Sequence, residues 1–361
     1  MATISLCMIV KNEEPVLERI LKPMRTVVDE IIIADTGSTD HTKEIACRYG
    51  DQVFDYVWKQ DFAAARNAAC ERASMDYWMW LDADDVIQPD QLEKLRQLKE
   101  TLDPKIDVVM MRYAAAFDAS GRPSFTYYRE RLLRNDKTFL WQGRVHEAVT
   151  PKGRILYSPI TIEHRKEKAG DSRRNLEIYR QMIRDGEALE PRHQFYYGRE
   201  LFDHGEYEMA AKALEQFLKE PGGWKENRID ACLLLSRCKS REGDPEGALG
   251  CLFRSFLYDS PRGEICCEIG RLKMEAGEYF QAAWWYKQAL LSLPDESSGA
   301  FIQPDFYSFI PAVQLCVCYD RLGQREQALY YHQMAKGMKP EDPAVRWNEG
   351  YFSSSAYIPK T

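Results

Sequence analysis

The chain has 361 residues and a formal net charge of −7 at pH 7, with 45% hydrophobic and 29% charged residues. This length exceeds that of a typical domain with one hydrophobic core, so two domains are expected. The composition is ordinary for a soluble globular protein. The acidic charge argues against a nucleic-acid-binding protein, which normally needs a basic face to offset phosphate repulsion.

The sequence carries no signal for secretion or membrane insertion. It begins directly with a strand pattern at residues 3–10 instead of a charged region followed by an apolar signal core, and no apolar run reaches membrane-spanning length. The ten cysteines lack the spacing of a zinc site and are interpreted as buried reduced thiols. These patterns predict a cytoplasmic protein without an integral membrane segment.

Roughly the first 165 residues alternate short apolar runs with helical patterns. Strands are predicted at residues 4–10, 30–35, 52–58 and 77–81, with helices between them. This alternation predicts crossover connections and a mostly parallel sheet. Ligands bind such sheets beyond the carboxyl ends of the strands, which is where Asp35 and Asp82 fall.

Three carboxylates follow the fourth predicted strand directly. Asp82, Asp84 and Asp85 come straight after the apolar run 77–81. Because clustered carboxylates repel one another, such a group usually has a cation. Acidic oxygens at this spacing suit a hard divalent ion that also holds a diphosphate. The alternative is a solvated loop before the next helix, which leaves Asp82, attached to a buried strand, unexplained.

Past about residue 170 the strand patterns give way to a helical repeat. Four loop glycines, each between two apolar helical segments, are followed by an alanine five residues later, in the pairs Gly205 and Ala210, Gly243 and Ala248, Gly277 and Ala282, and Gly323 and Ala328. This spacing resembles the tetratricopeptide repeat, whose period is about 34 residues. Repeats are predicted near 193–222, 229–261, 263–295 and 310–343, with 172–187 as a leading helix that joins the domains.

Two roles for these repeats stay open at the level of sequence. Stacked helix pairs can hold an extended peptide or protein on a concave surface, and they can equally stiffen the protein or mediate a homodimer.

Four motifs in the first half together resemble those of family-two glycosyltransferases of the GT-A fold. They are, in chain order, residues 5–14, 35–40, 61–67 and 82–85, the last a DXD motif. The resemblance implies an α/β GT-A domain (nucleotide-diphospho-sugar transferase, Rossmann-like) at 1–168. An all-α tetratricopeptide-repeat domain would follow at 169–361. Among glycosyltransferases with this second domain, the chain is similar to bacterial peptide S-/O-glycosyltransferases.

The resemblance implies a nucleotide-sugar donor, most simply a UDP-sugar. Asp35 would accept a hydrogen bond from the uracil imide, which a carboxylate does more strongly than a neutral acceptor. Lys11 and Arg66 would lie near the base or the phosphates, and Asp82 would contact the ribose. The complete set of implied donor-binding residues is Val10, Lys11, Asp35, Arg66, Asp82 and Ala83.

The resemblance also implies a cation, Mg²⁺ or Mn²⁺, bound by Asp84 together with the diphosphate. The ion would act as a Lewis acid on the departing nucleoside diphosphate. Asp85 could join it or cap the next helix. His164 follows a strand pattern at 158–162 and is a further candidate ligand, because a late histidine often completes the metal shell in GT-A enzymes. A histidine that is merely hydrogen-bonded at a strand end is the alternative.

The acceptor half of the site is expected within residues 106–165. Residues 141–147 resemble a motif of the glycosyltransferases that carry helical repeats, although the Glu-Asp pair of many relatives is absent. An inverting enzyme needs a general base, most often a carboxylate, and Glu147 is the candidate. His146 is its rival, with an ordinary pKa of about 6.5. A structural contact between the two is the third interpretation.

The favoured function is a metal-dependent inverting glycosyltransferase whose repeats suggest a peptide or protein acceptor at Cys, Ser or Thr. A cell-surface glycan or polysaccharide acceptor fits the same catalytic half. A non-catalytic adaptor built on the repeats is a different class, and the intact acidic positions argue against it. A nucleotidyltransferase would need a glycine-rich phosphate loop after the first strand, where residues 11–14 have none.

Overall fold

The computed structural model of the chain describes residues 1–117, 121, 123–167, 173–294 and 302–354. It divides into two compact units, Met1–Ala188 and Leu189–Thr361. The domain boundary predicted between residues 168 and 169 lies outside the described residues. So do residue 172, the first of the predicted leading helix, and residue 295, the last of the third predicted repeat. The helix that was expected to join the domains belongs to the first unit.

Within its described part, the first unit forms one sheet of eight strands in the spatial order β3-β2-β1-β4-β7-β6-β8-β5. The strands are β1 (Ile4–Val10), β2 (Glu30–Asp35), β3 (Gln52–Asp55), β4 (Tyr77–Trp80), β5 (Asp85–Val86), β6 (Val108–Phe117), β7 (Pro123–Arg134) and β8 (Ile155–His164). The helices are α1 (Leu17–Met24), α2 (Thr42–Tyr49), α3 (Phe62–Cys70), α4 (Pro89–Thr101) and α5 (Arg174–Arg184).

The β3-β2-β1-β4 half of the sheet is parallel, as the alternating pattern predicts. Strands β1, β2 and β4 are mostly apolar because helices cover both faces, and every residue of β2 is buried, whereas β3 at the edge is more exposed. The apolar stripe of α1, Leu17, Ile20, Leu21 and Met24, packs into the core on one face. The rung that pairs Val10 with Asp35 sets the ends of β1 and β2 side by side.

The other half of the sheet is mixed. Strand β7 runs antiparallel to both β4 and β6, and β8 runs parallel to β6. The two-residue strand β5, which the sequence pattern did not predict, pairs antiparallel with the end of β8 so that Asp85 stands opposite His164. This short pairing ties the acidic loop after β4 to the far edge of the sheet.

The second unit consists of paired helices, as the repeat pattern predicts. They are α6 (Pro191–Asp203), α7 (Tyr207–Lys219), α8 (Lys225–Arg241), α9 (Pro245–Arg254), α10 (Gly263–Glu275), α11 (Tyr279–Leu291), α12 (Phe309–Arg321), α13 (Arg325–Met338) and α14 (Pro343–Ser353). The four loop glycines have φ between 72° and 78°, the left-handed conformation that ends the first helix of each pair. The four repeat alanines are fully buried.

Gly198 on α6 marks a close approach between paired helices. A Cβ there would lie 2.8 Å from the side chain of Leu214, which is fully buried on α7. We expect Gly198→Ala to destabilise the chain by about 1–2 kcal/mol, because overpacking outweighs the gain in helix propensity. Urea denaturation of the full chain, followed by circular dichroism, measures the change.

Gly250→Ala is the matched control, because a Cβ at Gly250 on α9 meets nothing within 4 Å. It should stabilise the chain by up to about 1 kcal/mol. Equal stabilities of the two variants would contradict the close approach at Gly198.

None of the helices in the described ranges combines the length and apolarity needed to cross a membrane.

Candidate active site

A cavity of about 700 Å³ lies beyond the carboxyl ends of β1 and β4 in the first unit. Asp35 and Asp85 do not line it. The predicted site residues that do are Val10, Lys11, Arg66, Asp82, Ala83, Asp84, His146, Glu147 and His164. The cavity therefore gathers side chains from both halves of the sheet and from the loop after β7. Their individual roles stay predictions.

Asp35, at the end of β2, is 2% exposed and does not line the cavity, although its neighbour Thr36 does. Its Oδ1 accepts hydrogen bonds from the backbone N–H groups of Gly37 (2.8 Å) and Ser38 (2.7 Å). Its Oδ2 is buried without a hydrogen-bond partner among the described residues. A buried carboxylate oxygen without a donor is costly, so this atom is suited to a donor group that a ligand brings.

Asp84, Asp85 and His164 form a cluster at one end of the acidic loop, with their ligating atoms all within 4.8 Å of one another. His164 Nδ1 lies 3.3 Å from Asp84 Oδ1 and 3.9 Å from Asp85 Oδ1. The antiparallel rung between β5 and β8 brings these residues together. The carboxylates of Asp84 and Asp85 raise the pKa of His164 to about 10.

The cluster fits a divalent cation. Asp85 Oδ1 is buried and accepts no hydrogen bond from the described residues, and both it and Asp84 Oδ1 face His164 Nδ1. Two carboxylates and an imidazole nitrogen supply the oxygen-rich ligand set that Mg²⁺ and especially Mn²⁺ accept. The donor chemistry thus agrees with the predicted cation, and Asp85 belongs to the same cluster as Asp84.

Asp85 does not cap the following helix. Helix α4 begins after Gln88, which makes no side-chain capping bond. Asp85 Oδ2 instead accepts from the backbone N–H of Asp82 (3.0 Å) and from Arg131 Nη1 (3.0 Å). Of the two roles that the sequence left open for Asp85, capping is thereby wrong.

Arg66 on α3 bridges two further carboxylates that line the cavity, those of Asp82 and Glu147. Its Nη2 donates to Asp82 Oδ1 and its Nε to Glu147 Oε1, each over 2.7 Å. The guanidinium lies 5.2 Å from the centre of the Trp80 ring and 4.9 Å from that of the Trp141 ring. The sequence predicts that Arg66 contacts the nucleotide-sugar donor. It does not predict that Arg66 links Asp82, the predicted ribose contact, to Glu147, the predicted general base.

Asp82 is ionised at neutral pH. Burial opposes its charge, but the guanidinium groups of Arg66 and Arg131 outweigh burial and lower the pKa of Asp82 to about 2. The oxygen that faces Arg66 is therefore a strong hydrogen-bond acceptor.

Helix α3 also holds the loop that carries His146 and Glu147. The Asn67 amide exchanges two hydrogen bonds with the backbone of Trp141, at 2.9 and 3.0 Å, and the N–H of Phe62 donates to the carbonyl of Arg144. Asn67 thus has a structural role. His146 has a φ of 50°, a left-handed backbone conformation that presents it and Glu147 to the cavity.

The sequence did not identify four further residues that line the cavity, Trp58, Phe62, Arg174 and Asn175. Trp58 and Phe62 pack edge to face with ring centres 4.7 Å apart, and the Arg174 guanidinium lies 4.7 Å from the Phe62 ring. Arg174 and its neighbour Asn175 come from α5, which was assigned to the repeat domain. Phe62 belongs to the motif at 61–67, but no local sequence pattern indicates that residues of α5 line the cavity.

The fold and this cavity define the first unit as a GT-A glycosyltransferase domain. Residues 5–154 match the family model described as glycosyl transferase family 2. The chain therefore carries a family-two glycosyltransferase domain at its N-terminus, followed by tetratricopeptide-like repeats. Both parts of the predicted resemblance are confirmed.

Two curated relatives are similar to this chain over part of their length. A TPR repeat-containing protein of Synechococcus elongatus is 30% identical over 266 residues, which cover 69% of this chain and 64% of that protein. The SPbeta prophage-derived glycosyltransferase SunS of Bacillus subtilis is 27% identical over 248 residues, which cover 64% of this chain and 58% of that protein. The chain thus spans less than two thirds of either relative.

Among solved structures, a glucosyl-3-phosphoglycerate synthase from Mycobacterium tuberculosis, in complex with Mn²⁺ and UDP-glucose, is 16% identical with a TM-score of 0.35. The alignment covers 52% of this chain and 80% of that one. A score this low supports no inference about ligands.

Proposed function

We propose that this chain is a metal-dependent inverting glycosyltransferase that moves a sugar from a UDP-sugar to a polypeptide side chain. The observation that carries the proposal is one cavity of a family-two glycosyltransferase domain that is lined by Asp84 and His164, with Asp85 buried beside them in a cation-type cluster. Beside it lie the cationic and anionic groups that a nucleoside diphosphate requires, Arg66 and Asp82.

The donor would lie along the ends of β1, β2 and β4. Asp35 Oδ2 is buried and accepts no hydrogen bond from the described residues, so it is suited to accept one from the imide N–H of uracil. Asp82, ionised and 33% exposed at its side chain, is available to the ribose hydroxyls. Lys11 is an exposed cation at the end of β1, within reach of phosphate oxygens, with Val10 and Ala83 as neighbouring contacts.

The leaving group would be held at the acidic cluster by Asp84 and His164. A bound Mg²⁺ or Mn²⁺ would supply Lewis-acid neutralisation of the charge that develops on the departing diphosphate. The chain fixes these residues in place, because Asp84 O accepts from the Arg165 N–H (3.0 Å) and from Arg19 Nη2 (3.2 Å).

The acceptor would approach from the loop that carries His146 and Glu147. A single displacement inverts the anomeric centre and needs one base to take the acceptor proton. Glu147 is half buried and lines the cavity, and its charge is held by Arg66 over 2.7 Å. Glu147 remains our proposed base, and His146 is the neighbouring alternative.

A polypeptide acceptor is proposed because the second unit is made of stacked helix pairs, an architecture that commonly presents extended binding surfaces for peptides. The cytoplasmic location and the homodimer expected from the sequence stay predictions.

The test incubates the full chain with Mn²⁺ and a panel of UDP-, GDP- and dTDP-sugars and with Cys-, Ser- and Thr-containing peptides. Release of UDP and the mass of the peptide product are measured. We expect UDP-sugars alone to turn over, chelation by EDTA to stop the reaction, and the anomeric configuration of the product to be inverted. Turnover that persists in EDTA, or a preference for another nucleotide, would refute the corresponding part of the proposal.

A further inference from the structure

Asp85 and Arg131 form an ion pair that is completely enclosed by the first unit. Both side chains are 0% exposed, and Arg131 Nη1 lies 3.0 Å from Asp85 Oδ2. Burying a charge pair costs desolvation energy, so such a pair is weak evidence for stability alone. A fully buried arginine beside a cation-type cluster therefore needs a further explanation.

Arg131 is held from three directions. Its guanidinium lies 3.8 Å from the centre of the Trp80 ring and 4.5 Å from that of Tyr113. Its Nη1 also donates to the carbonyl of Trp80 over 3.2 Å. Because Trp80 is the last residue of β4, these contacts fix Arg131 against the strand that leads into the acidic loop.

The two carboxylate oxygens of Asp85 have different surroundings. Oδ2 takes two hydrogen bonds, from Arg131 and from the backbone N–H of Asp82. Oδ1 is buried, has no hydrogen-bond partner among the described residues, and lies 3.9 Å from His164 Nδ1. One oxygen is thus saturated, and the other faces the cluster and accepts no hydrogen bond from the described residues.

We propose that Asp85 binds the divalent cation through Oδ1, and that Arg131 is a positioning residue that restricts Asp85 to one-oxygen binding. This inference rests on the proposed function, because it concerns the cation at Asp84 and His164. It adds a ligand and explains why the chain buries an arginine behind it.

One-oxygen binding has a consequence for the choice of cation. Mg²⁺ and Mn²⁺ favour compact six-ligand shells, whereas Ca²⁺ readily accepts a carboxylate through both oxygens. With Oδ2 held by Arg131, Asp85 cannot offer both oxygens. Removing the arginine should therefore shift the site toward Ca²⁺, which a purely structural ion pair would not do.

The first experiment tests Asp85 as a ligand. The double variant Asp85→Leu with Arg131→Met replaces the buried pair by apolar side chains of similar size, which such sites often tolerate. Titration calorimetry of the full chain with Mn²⁺, without donor, is expected to show at least a tenfold weaker Kd. Wild-type affinity in this folded variant would overturn the ligand role.

The matched control is Asp107→Leu with Arg134→Met. It removes another Asp–Arg pair anchored on β7 (2.9 Å), whose residues do not line the cavity. Its Kd for Mn²⁺ should equal that of the wild type, and an equal loss in both double variants would overturn the inference.

The second experiment tests the positioning role with Arg131→Met alone. The ratio of the Kd for Ca²⁺ to the Kd for Mn²⁺ is expected to fall at least fivefold, and an unchanged ratio would overturn the role of Arg131. If this variant does not fold, Arg131→Lys, which keeps the charge but loses the planar fork, is measured in the same way with a smaller shift expected.

Wild type and Asp84→Ala in the same titration separate this inference from the proposed function. Loss of binding in Asp84→Ala with full binding in the Asp85 double variant would refute the inference and leave the proposed function standing. If the wild type binds no Mn²⁺, both the proposed metal dependence and this inference fail.

Discussion

Asp84→Ala is expected to lower metal-dependent turnover of the UDP-sugar by roughly 10³-fold or more, because it removes a cation ligand beside the leaving diphosphate. The fold should survive, since the contacts that hold this loop use the backbone carbonyl of Asp84, which accepts from Arg165 and Arg19. UDP release and the melting temperature, measured on the same preparation, check both statements.

The matched control for this variant is Asp90→Ala in the first turn of α4. Asp90 is an exposed carboxylate a few residues further on, and it pairs with Lys94 over 3.5 Å. Its loss should leave turnover unchanged. Full activity of Asp84→Ala in the presence of Mn²⁺ would remove Asp84 as a ligand.

Glu147→Gln is expected to lower transfer to the acceptor by about 10²–10⁴-fold while changing the Kd of the UDP-sugar little. The amide keeps the size of the side chain, and its oxygen can still accept from Arg66 Nε, so the bridge to Asp82 persists. What the variant loses is the capacity to take a proton. Transfer rates are compared with donor affinity from titration calorimetry.

The rival assignment is decided by His146→Asn in the same assays. If that variant loses more transfer than Glu147→Gln, His146 is the base. If Glu147→Gln weakens donor binding and transfer equally, Glu147 acts through Arg66 on the donor and is not the base.

The parallel half of the sheet could be predicted because its strands are short, nearly continuous apolar runs. The run Tyr77–Leu81 and the fully buried β2 have that form. An aspartate lies at the carboxyl end of each, Asp82 directly after the run and Asp35 as the last residue of β2. Local pattern was sufficient because each prediction concerned one segment and the place where it ends.

The pairing of charged groups could not be predicted, because it depends on contacts between distant segments. Arg131 ends a run of three charged residues in β7, a pattern typical of exposed chain, yet it is fully buried against Asp85, 46 positions away. Glu147 and Arg66 are 81 positions apart, and their ion pair depends on the loop that Asn67 holds.

The extent of the first domain was also hidden from local pattern. Helix α5 is amphipathic, with Leu176, Ile178, Tyr179 and Met182 buried, and so resembles the repeat helices that follow it. Only its three-dimensional contacts assign it to the first unit, where Arg174 and Asn175 reach the cavity. Periodicity reveals that a helix has a buried face and says nothing about which core covers that face.

The rung that sets Asp85 opposite His164 makes the length of β8 part of the site. Side chains alternate between the two faces of a strand, so the loss or gain of one residue within 161–164, after the irregularity that follows Ser158, would turn the histidine away from the carboxylates. Such a change would disable the cluster although every ligand remained in the sequence. Length variation among homologues is therefore expected outside this segment, while the end of β8 keeps its residue count.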